Sequence, residues 1–394
     1  MASVKRGTIA IECAWPFAYA ALLFGVIGWL NFVTADDRQY SALAESFLKG
    51  KLFFLAESRS GWADTASFEG QHYSALGPFP AVLIMPLVWS GYFHQGQLSF
   101  VASLAVFYLC FRLARRCNYS YQESCWFALA FCFATSFIGV AALPSSNFFA
   151  HVLAVIFLFL AINEYQGKCR PWLIGGWTGL AMANRAPAGL NILFFTLSIL
   201  FGFGTIREKA TGVAKLLLVF GVVVGLLALY NFSRFGDPLE SGYSYQVNGM
   251  GIPYADWNVP GNTPGPPIRL SNIPSHLRVF LFGLPSAKAI GTSVLLMSPF
   301  FSYLVMVRRW DLTNRLITLN IVLVLLMVLA FRSTGFEQVG YRFSLDFLPF
   351  VFFLLMRSHV ELTDGFKGLI FTAIVVDLCL TLYFLASGVD RRTG

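Results

Sequence analysis

Charged residues are scarce in this sequence. Asp, Glu, Lys and Arg make up 12% of its 394 residues, and hydrophobic residues make up 57%. The charged share is roughly half of that in soluble domains, and the mean hydropathy is +0.65. Several apolar runs approach the ~20 residues that a helix needs to cross a bilayer. The composition therefore excludes a soluble globular protein and predicts an all-α polytopic membrane protein.

Motifs for several common chemistries are also missing. No glycine-rich phosphate loop, zinc-ligand spacing or Ser–His–Asp arrangement stands out. The seven Cys residues fall in apolar runs or basic loops, which predicts neither disulfides nor a Cys-based metal site. The net charge of +8 comes from short basic clusters between apolar runs. This distribution fits the positive-inside rule and argues against nucleic-acid binding.

About eleven apolar segments are candidate membrane spans. No small-residue cleavage site follows the first segment, so we interpret it as a retained helix. With a cytoplasmic N-terminus, most Lys and Arg residues fall in loops on the cytoplasmic side. We therefore expect an integral protein of the bacterial plasma membrane, with its active site on the outer face. The candidate spans are 9–33, 97–115, 121–143, 147–164, 171–184, 187–206, 213–232, 288–307, 315–332, 341–357 and 366–387.

Two long segments interrupt these runs, and the predicted topology puts both outside. Residues 34–96 begin with an amphipathic helix pattern. They also contain the apolar stretch AVLIMPLVW, which is too short to span and is predicted to lie in the membrane interface. Residues 233–287 are rich in Pro and Gly and are expected to form an irregular but folded loop. Residues 1–394 are expected to form a single transmembrane domain without a soluble C-terminal domain.

The polar residues predicted outside divide into an acidic corner and a set of cations near the membrane. Asp36 and Asp37 directly follow the first apolar run, in a loop that carries further carboxylates. An Arg side chain holds phosphate through bidentate hydrogen bonds, and a carboxylate removes a hydroxyl proton. The arrangement suits a reaction between an anionic lipid-linked donor and a hydroxyl acceptor. The cations include Arg185, Arg278, Lys288 and Arg342.

Each of these residues also has a structural interpretation. The helix after residue 38 needs a cap, which Thr34 or one of the pair Asp36 and Asp37 can supply. Arg342 either contacts phosphate or snorkels to the interface. Asp346, four residues further on, offers Arg342 an ion-pair partner if the segment is helical. Local sequence leaves these alternatives open.

Three strings occur in the same order as in a known membrane superfamily: TADDRQYSALAESFLKG, EGQHYSALGPFPAVLIMPL and VGYRFSLDFLPFVFFLL. They resemble the first outer loop, the interfacial helices and a late helix of the GT-C glycosyltransferases. The branch they resemble most contains protein O-mannosyltransferases and aminoarabinose transferases. The resemblance is spread through most of residues 34–356. It implies a GT-C-like fold and an inverting transfer of sugar from a polyprenyl- or dolichyl-phosphate donor.

The resemblance also carries roles to individual positions. Asp36 matches the catalytic base that acts on the acceptor, and Asp37 takes the neighbouring acidic place. Arg342 matches a late-helix Arg that contacts the lipid phosphate. The other candidate residues are Tyr40, His72 and Tyr73 for substrate binding and Arg185, Arg278 and Lys288 for binding the donor phosphate.

The sequence departs from the family pattern in two places. Many GT-C members carry a second acid between the third and fourth helices, where this chain reads LPSSNFF, with Asn147 and no carboxylate. Hard divalent cations prefer several oxygen ligands, usually carboxylates, so the missing acid argues against the cation that the resemblance leaves open. Aminoarabinose transferases place a Lys before a Pro pair, near Ala75 to Gly77 here. The absence of that Lys argues against the aminoarabinose activity itself.

The sequence therefore predicts an inverting glycosyltransferase that acts at the outer leaflet. Its expected partners are a polyprenyl-phosphate sugar, membrane lipid and an unidentified glycan, lipid or protein acceptor. Two other classes stay open: a non-catalytic GT-C-like subunit of a membrane complex and a transporter of lipid-linked saccharides. A transporter would place polar residues near the bilayer midplane, whereas here they concentrate outside the predicted spans.

Overall fold

The structure is a computed structural model that describes residues 2–34, 37–57, 61–259, 262–284, 293–335 and 338–388. Helices dominate the described residues, and a two-stranded antiparallel hairpin forms a small sheet. The elements are α1 (Ala2–Val33), α2 (Gln39–Leu48), β1 (Thr65–Phe68), β2 (Gln71–Ser74), α3 (Phe79–Trp89), α4 (Gln95–Arg116), α5 (Tyr121–Phe133), α6 (Phe137–Ala142), α7 (Ser146–Tyr165), α8 (Pro171–Asn184), α9 (Ile192–Phe201), α10 (Ile206–Phe235), α11 (Ile273–Phe282), α12 (Val294–Met297), α13 (Leu312–Ala330), α14 (Leu348–Arg357) and α15 (Asp364–Gly388). The 3₁₀ helices cover Ala186–Asn191, Tyr243–Tyr245, Leu270–Asn272, Pro299–Met306 and Arg342–Asp346.

Six helices among the described residues are long and apolar enough to cross a membrane, namely α1, α4, α7, α10, α13 and α15. Each coincides with a predicted span, although two of them begin seven residues earlier than predicted. Helix α1 begins at Ala2 rather than at 9, and α10 begins at Ile206 rather than at 213. Several of the other predicted spans are divided. The span 121–143 forms α5 and α6, and 288–307 contains α12 and a 3₁₀ helix within its described part. The all-α polytopic fold is confirmed.

Two further interruptions of the helices have local causes and lie beside the site described below. Arg185 is extended (φ −146°, ψ 114°) and separates α8 from a 3₁₀ helix that carries Pro187, which lacks an N–H donor. Gly340 has φ 73° just before the 3₁₀ helix Arg342–Asp346. A Cβ at Gly340 would also lie 2.2 Å from the Met297 sulfur. The helical conformation is interrupted at both points, so polar backbone groups lie between the helical segments.

The helices differ greatly in burial. In the apolar stretch of α7 that could cross the membrane, 83% of the residues are buried, so α7 is the central helix of the array. In the corresponding stretch of α10, 6% of the residues are buried. α10 packs closely on α8, where a Cβ at Gly175 would lie 2.1 Å from the Leu216 carbonyl oxygen. Small residues allow such close approach between membrane helices. Elsewhere α10 exposes apolar side chains such as Leu218, Val222 and Leu226, while its first turns carry charged residues.

The two long loops meet at one end of the helix array. Residues 34–96 contain the predicted amphipathic helix α2, the β1–β2 hairpin and the short apolar helix α3. The loop 233–287 pairs with the hairpin, since Ala66 bridges Gln246 and the Asp64 amide donates to the Val247 carbonyl at 2.9 Å. This pairing joins the loops into one structure that lies over the ends of the helices.

The opposite end of the array carries basic residues. Arg357 forms an ion pair with Asp311 at 2.9 Å, and Arg170 pairs with Glu164 at 2.8 Å. The Tyr119 hydroxyl donates to the Val360 carbonyl there. The two long loops therefore lie at one end of the array, and short turns that carry basic residues lie at the other end.

Candidate functional site

A cavity of about 1680 Å³ lies where the two loops meet the helix ends. Its apolar lining includes the helix side chains Met182, Leu227 and Met327, together with apolar residues of the two loops. Its polar part is formed by the loops, the start of α7 and the breaks after α8 and α13. The charged and hydrogen-bonding side chains of this lining include Asp37, Asp64, Asn147, Arg185, Arg234, Glu240, Tyr243, Gln246, Tyr254, Arg332 and Arg342.

Asp37 is saturated by hydrogen bonds from its own chain. Its Oδ1 accepts from the Gln39 amide (3.2 Å), the Gln95 side-chain amide (2.8 Å) and the Ser146 hydroxyl. Its Oδ2 accepts from the Ser145 hydroxyl (3.1 Å) and the Ser146 amide (2.9 Å). The Ser146 amide belongs to the first turn of α7, where the helix dipole favours a negative charge.

The N-cap position of α2 is Arg38, whose side chain makes no capping bond, so Asp37 supplies an acceptor to this helix start from one residue earlier. Its bond to the Gln39 amide reaches the first residue of α2. Thr34 takes another role, since its hydroxyl donates to the Leu30 carbonyl at the end of α1. Asp36, the predicted base, lies outside the described residues.

Asp64 is the second carboxylate of the cavity, and it is held by fewer donors. The Tyr254 hydroxyl (2.7 Å) and the Gln246 amide (3.3 Å) donate to Oδ1, and the Asn147 amide (3.2 Å) donates to Oδ2. Burial raises the pKa of Asp64 above its usual value, and the Tyr254 hydrogen bond and the charge of Arg342 offset part of that rise. Three donors fill three of the about four acceptor positions of a carboxylate, so Asp64 keeps one position open in the cavity lining.

Arg185 and Asp346 form a buried bidentate ion pair. Arg185 Nε lies 2.9 Å from Asp346 Oδ1, and Nη2 lies 2.9 Å from Oδ2. The Asp346 side chain is 1% exposed and that of Arg185 is 11% exposed. The Asn191 side chain donates to the Asp346 carbonyl, and Asn320 in turn donates to Asn191. This network fixes α8, α13 and the 3₁₀ helix Arg342–Asp346 against one another.

The ion pair differs from the one that local spacing suggested. Asp346 binds Arg185 rather than Arg342 because residues 342–346 form a 3₁₀ helix. With three residues per turn, positions i and i+4 do not share a face. The Arg342 guanidinium instead lies 5.0 Å from the Phe148 ring and 5.1 Å from the Phe343 ring, in cation–π range. Arg342 is 9% exposed and lines the cavity.

Arg332 is a further buried cation in the lining, at 1% exposure. Its Nη2 donates to the Tyr243 carbonyl (2.7 Å) and to Gln246 Oε1 (3.2 Å). Its Nη1 has no hydrogen-bond partner among the described residues. An acceptor atom of a ligand would satisfy Nη1, because a buried donor without an acceptor is costly.

The cavity brings together three of the residues predicted from sequence, namely Asp37, Arg185 and Arg342. Arg278 is exposed on α11 and is not part of the lining. Lys288, like Asp36, lies outside the described residues.

The three predicted substrate contacts pack near the cavity without lining it. His72 stacks on Trp62 at 4.0 Å and shares a hydrogen bond with Thr65. Tyr73 contacts the Phe235 ring. Tyr40 is 1% exposed, and its hydroxyl has no hydrogen-bond partner among the described residues.

Sequence reasoning missed Asp64, Arg332 and the tyrosines of the second loop. Asp64 has a φ of 63° and occupies a turn. Its partners Gln246 and Tyr254 are 182 and 190 residues away in the chain. The available signal was the aromatic content of 233–287. Within the described parts of the chain, no group of three or more His, Cys, Asp or Glu residues is arranged to hold a metal ion.

The fold resembles that of a known membrane protein. The chain is similar to the crystal structure of ArnT from Cupriavidus metallidurans bound to undecaprenyl phosphate, with a TM-score of 0.53 and 13% sequence identity. The similarity covers 92% of this chain and 64% of the ArnT chain. The two chains therefore share an overall fold. At this level of identity the likeness concerns the fold alone. No protein-family model and no curated protein sequence matches the chain.

Proposed function

We propose that the protein transfers a sugar from a polyprenyl-phosphate donor to an acceptor hydroxyl at the outer face of the membrane, with inversion. The observation that carries this proposal is the composition of the cavity. Apolar helix side chains form one part of it, and buried arginines with carboxylates form the other. A polyprenyl-phosphate sugar combines matching groups, namely an apolar tail, an anionic phosphate and a polar sugar. The fold similarity to a protein bound to undecaprenyl phosphate supports the same ligand class.

The proposed orientation follows from the two ends of the helix array. The end opposite the cavity carries Arg116, Arg170 and Arg357. Loops rich in Lys and Arg face the cytoplasm by the positive-inside rule. The cavity would then open to the outer face, next to the leaflet that holds the lipid donor.

Arg342 is the proposed ligand of the donor phosphate. It lines the cavity and is held by two aromatic rings rather than by the nearby Asp346. Arg185 adds positive charge, but its ion pair with Asp346 neutralises most of it. A guanidinium fixed in a largely buried site stabilises the charge that develops as the phosphate departs.

In the proposed reaction the acceptor oxygen attacks the anomeric carbon from the face opposite the phosphate. The new C–O bond forms as the bond to the phosphate oxygen breaks, and polyprenyl phosphate leaves with the bonding electrons. Asp36 takes the proton of the acceptor hydroxyl. Its neighbour Asp37 is anchored to the start of α7 and lines the cavity. Positioning and charge stabilisation supply most of the rate enhancement in this scheme.

The test uses purified protein, radiolabelled polyprenyl-phosphate sugars and a cell-envelope acceptor fraction. Asp36→Asn should abolish transfer, whereas Glu45→Gln, in the same loop but away from the cavity lining, should preserve it. Transfer that survives Asp36→Asn would refute the assignment of the base. If the wild-type protein binds undecaprenyl phosphate but transfers no sugar from any donor, it is a non-catalytic lipid-binding subunit.

A further inference from the structure

Asp64 is a cavity carboxylate to which the proposed reaction gives no task. A carboxylate has about four acceptor positions, two on each oxygen. The Tyr254 hydroxyl and the Gln246 amide occupy both positions on Oδ1, while Asn147 occupies one on Oδ2. One acceptor position on Oδ2 is therefore left for a ligand.

The carboxylate is also fixed in direction. Its backbone amide is bonded to the Val247 carbonyl, and its φ of 63° places it in a tight turn before β1. Asn147 belongs to the first turn of α7, the most buried membrane-length helix. Tyr254 and Gln246 come from the other loop. The turn before β1, the start of α7 and the second loop thus fix the direction of the carboxylate, and Oδ2 keeps one acceptor position in the cavity lining.

The chemistry of a carboxylate oxygen selects its ligand. An anionic phosphate would be repelled, whereas a hydroxyl group donates a charge-assisted hydrogen bond to it. The polar side chains that hold Asp64 come from the second loop and the start of α7, whereas α8, α10 and α13 contribute the apolar residues Met182, Leu227 and Met327 to the lining. The polar sugar, rather than the polyprenyl tail, would therefore lie against Asp64.

We propose that Asp64 binds a hydroxyl group of the donor sugar through Oδ2 and thereby selects glycosylated over bare polyprenyl phosphate. The inference rests on the proposed function, because it requires a lipid-linked sugar in the cavity. Tyr254, Gln246 and Asn147 act as positioning residues that hold the carboxylate.

The test compares the Kd of undecaprenyl phosphate with the Kd values of undecaprenyl-phosphate mannose, glucose and galactose. The ratio of the bare-lipid Kd to the best sugar-lipid Kd measures the contribution of the sugar. Asp64→Asn should reduce this ratio by about ten- to hundredfold, the usual loss for a hydrogen bond to a charged group. Binding of bare undecaprenyl phosphate should not weaken. Asp256→Asn, an exposed change in the same loop as Tyr254, is the matched control.

The outcomes separate the two proposals. If the wild-type ratio exceeds one and Asp64→Asn leaves it unchanged, the role of Asp64 is refuted and the proposed function stands. A wild-type ratio near one also refutes the role of Asp64. If the wild-type protein binds neither bare nor glycosylated lipid, the proposed function fails and this inference fails with it. Should Asp64→Asn not fold, Tyr254→Phe must lower the ratio in the same direction, because it removes one of the donors that orient the carboxylate.

Discussion

The start of α7 holds two carboxylates of the cavity in different ways. Asp37 receives five hydrogen bonds, two of them from Ser146. Asp64 receives three, one of them from Asn147, the next residue along. A carboxylate with every acceptor position filled by its own chain has no capacity left for a substrate. The comparison separates a carboxylate saturated by its own chain from one that keeps an acceptor position, within a single cavity.

Asp346 extends the comparison, since its partner is a charge. Its bidentate bond to Arg185 is almost completely buried. Removing one member of such a pair leaves the other charge without compensation. Asp346 is paired with a charge, Asp37 is saturated with hydrogen bonds, and Asp64 keeps an acceptor position open. The loss of stability on substitution by Asn should decrease in that order.

The largest expected effect is that of Asp346→Asn. It leaves the Arg185 guanidinium buried beside a neutral amide, so the free energy of unfolding should fall by about 3–5 kcal/mol. Unfolding by SDS in mixed micelles measures the change. The double variant Asp346→Asn, Arg185→Met removes both charges and should recover much of the loss. A single variant as stable as the wild type would show that the pair does not hold the helices together.

Asp37→Asn should have the next largest effect. The amide group cannot accept hydrogen bonds at its nitrogen, so donors such as the Ser145 hydroxyl and the Ser146 amide would lose their partner. The expected loss is about 2 kcal/mol, because an unsatisfied buried donor costs about 1–3 kcal/mol. Asp64→Asn should lower stability by clearly less in the same unfolding assay. Equal losses at the two positions would remove the distinction between the two carboxylates.

The dependence of sugar binding on pH tests the open carboxylate directly. Burial raises the pKa of Asp64, so its protonated form is favoured in the folded state more than in the unfolded state. The stability associated with this raised pKa is present at low pH and is lost as pH rises through the folded pKa. Sugar binding should change with pH in the opposite direction and strengthen as pH rises. The deprotonated carboxylate accepts a hydrogen bond from the sugar hydroxyl more strongly than the protonated carboxyl group does. The preference for glycosylated lipid should therefore fall as pH is lowered through a value above the usual Asp range, and Asp64→Asn should abolish this dependence.

Sequence periodicity predicted the long helices well because it depends on local structure. The span 147–164 forms α7 (Ser146–Tyr165), and 97–115 lies within α4 (Gln95–Arg116). The charge partners could not be predicted in the same way. Arg185 and Asp346 are 161 residues apart, and the 3₁₀ geometry that directs Asp346 away from Arg342 depends on the backbone around Gly340.

The same limit explains Asp64. Its local sequence indicates a turn, which it does form, but its function is decided by hydrogen bonds from a loop almost 200 residues away. Asp37 shows the complementary case, since its bond to the Gln39 amide is local, and a role at the start of α2 was one of the alternatives that the sequence left open. Local roles of carboxylates are thus readable from sequence, while cavity roles require the tertiary arrangement of the two loops.

The smallest expected effect is that of Asn147→Ala, which removes one donor from Asp64 without touching Asp37. The loss of one side-chain hydrogen bond to a partly solvated carboxylate should lower stability by about 1 kcal/mol or less. It also frees a second acceptor position on Oδ2, so the preference for glycosylated lipid should change by only a fewfold. The Kd ratio and the SDS unfolding curve measure the two effects in one preparation. A loss of stability as large as that of Asp37→Asn would mean that Asn147 anchors the first loop to α7, and Asp64 would then belong with the structural carboxylates.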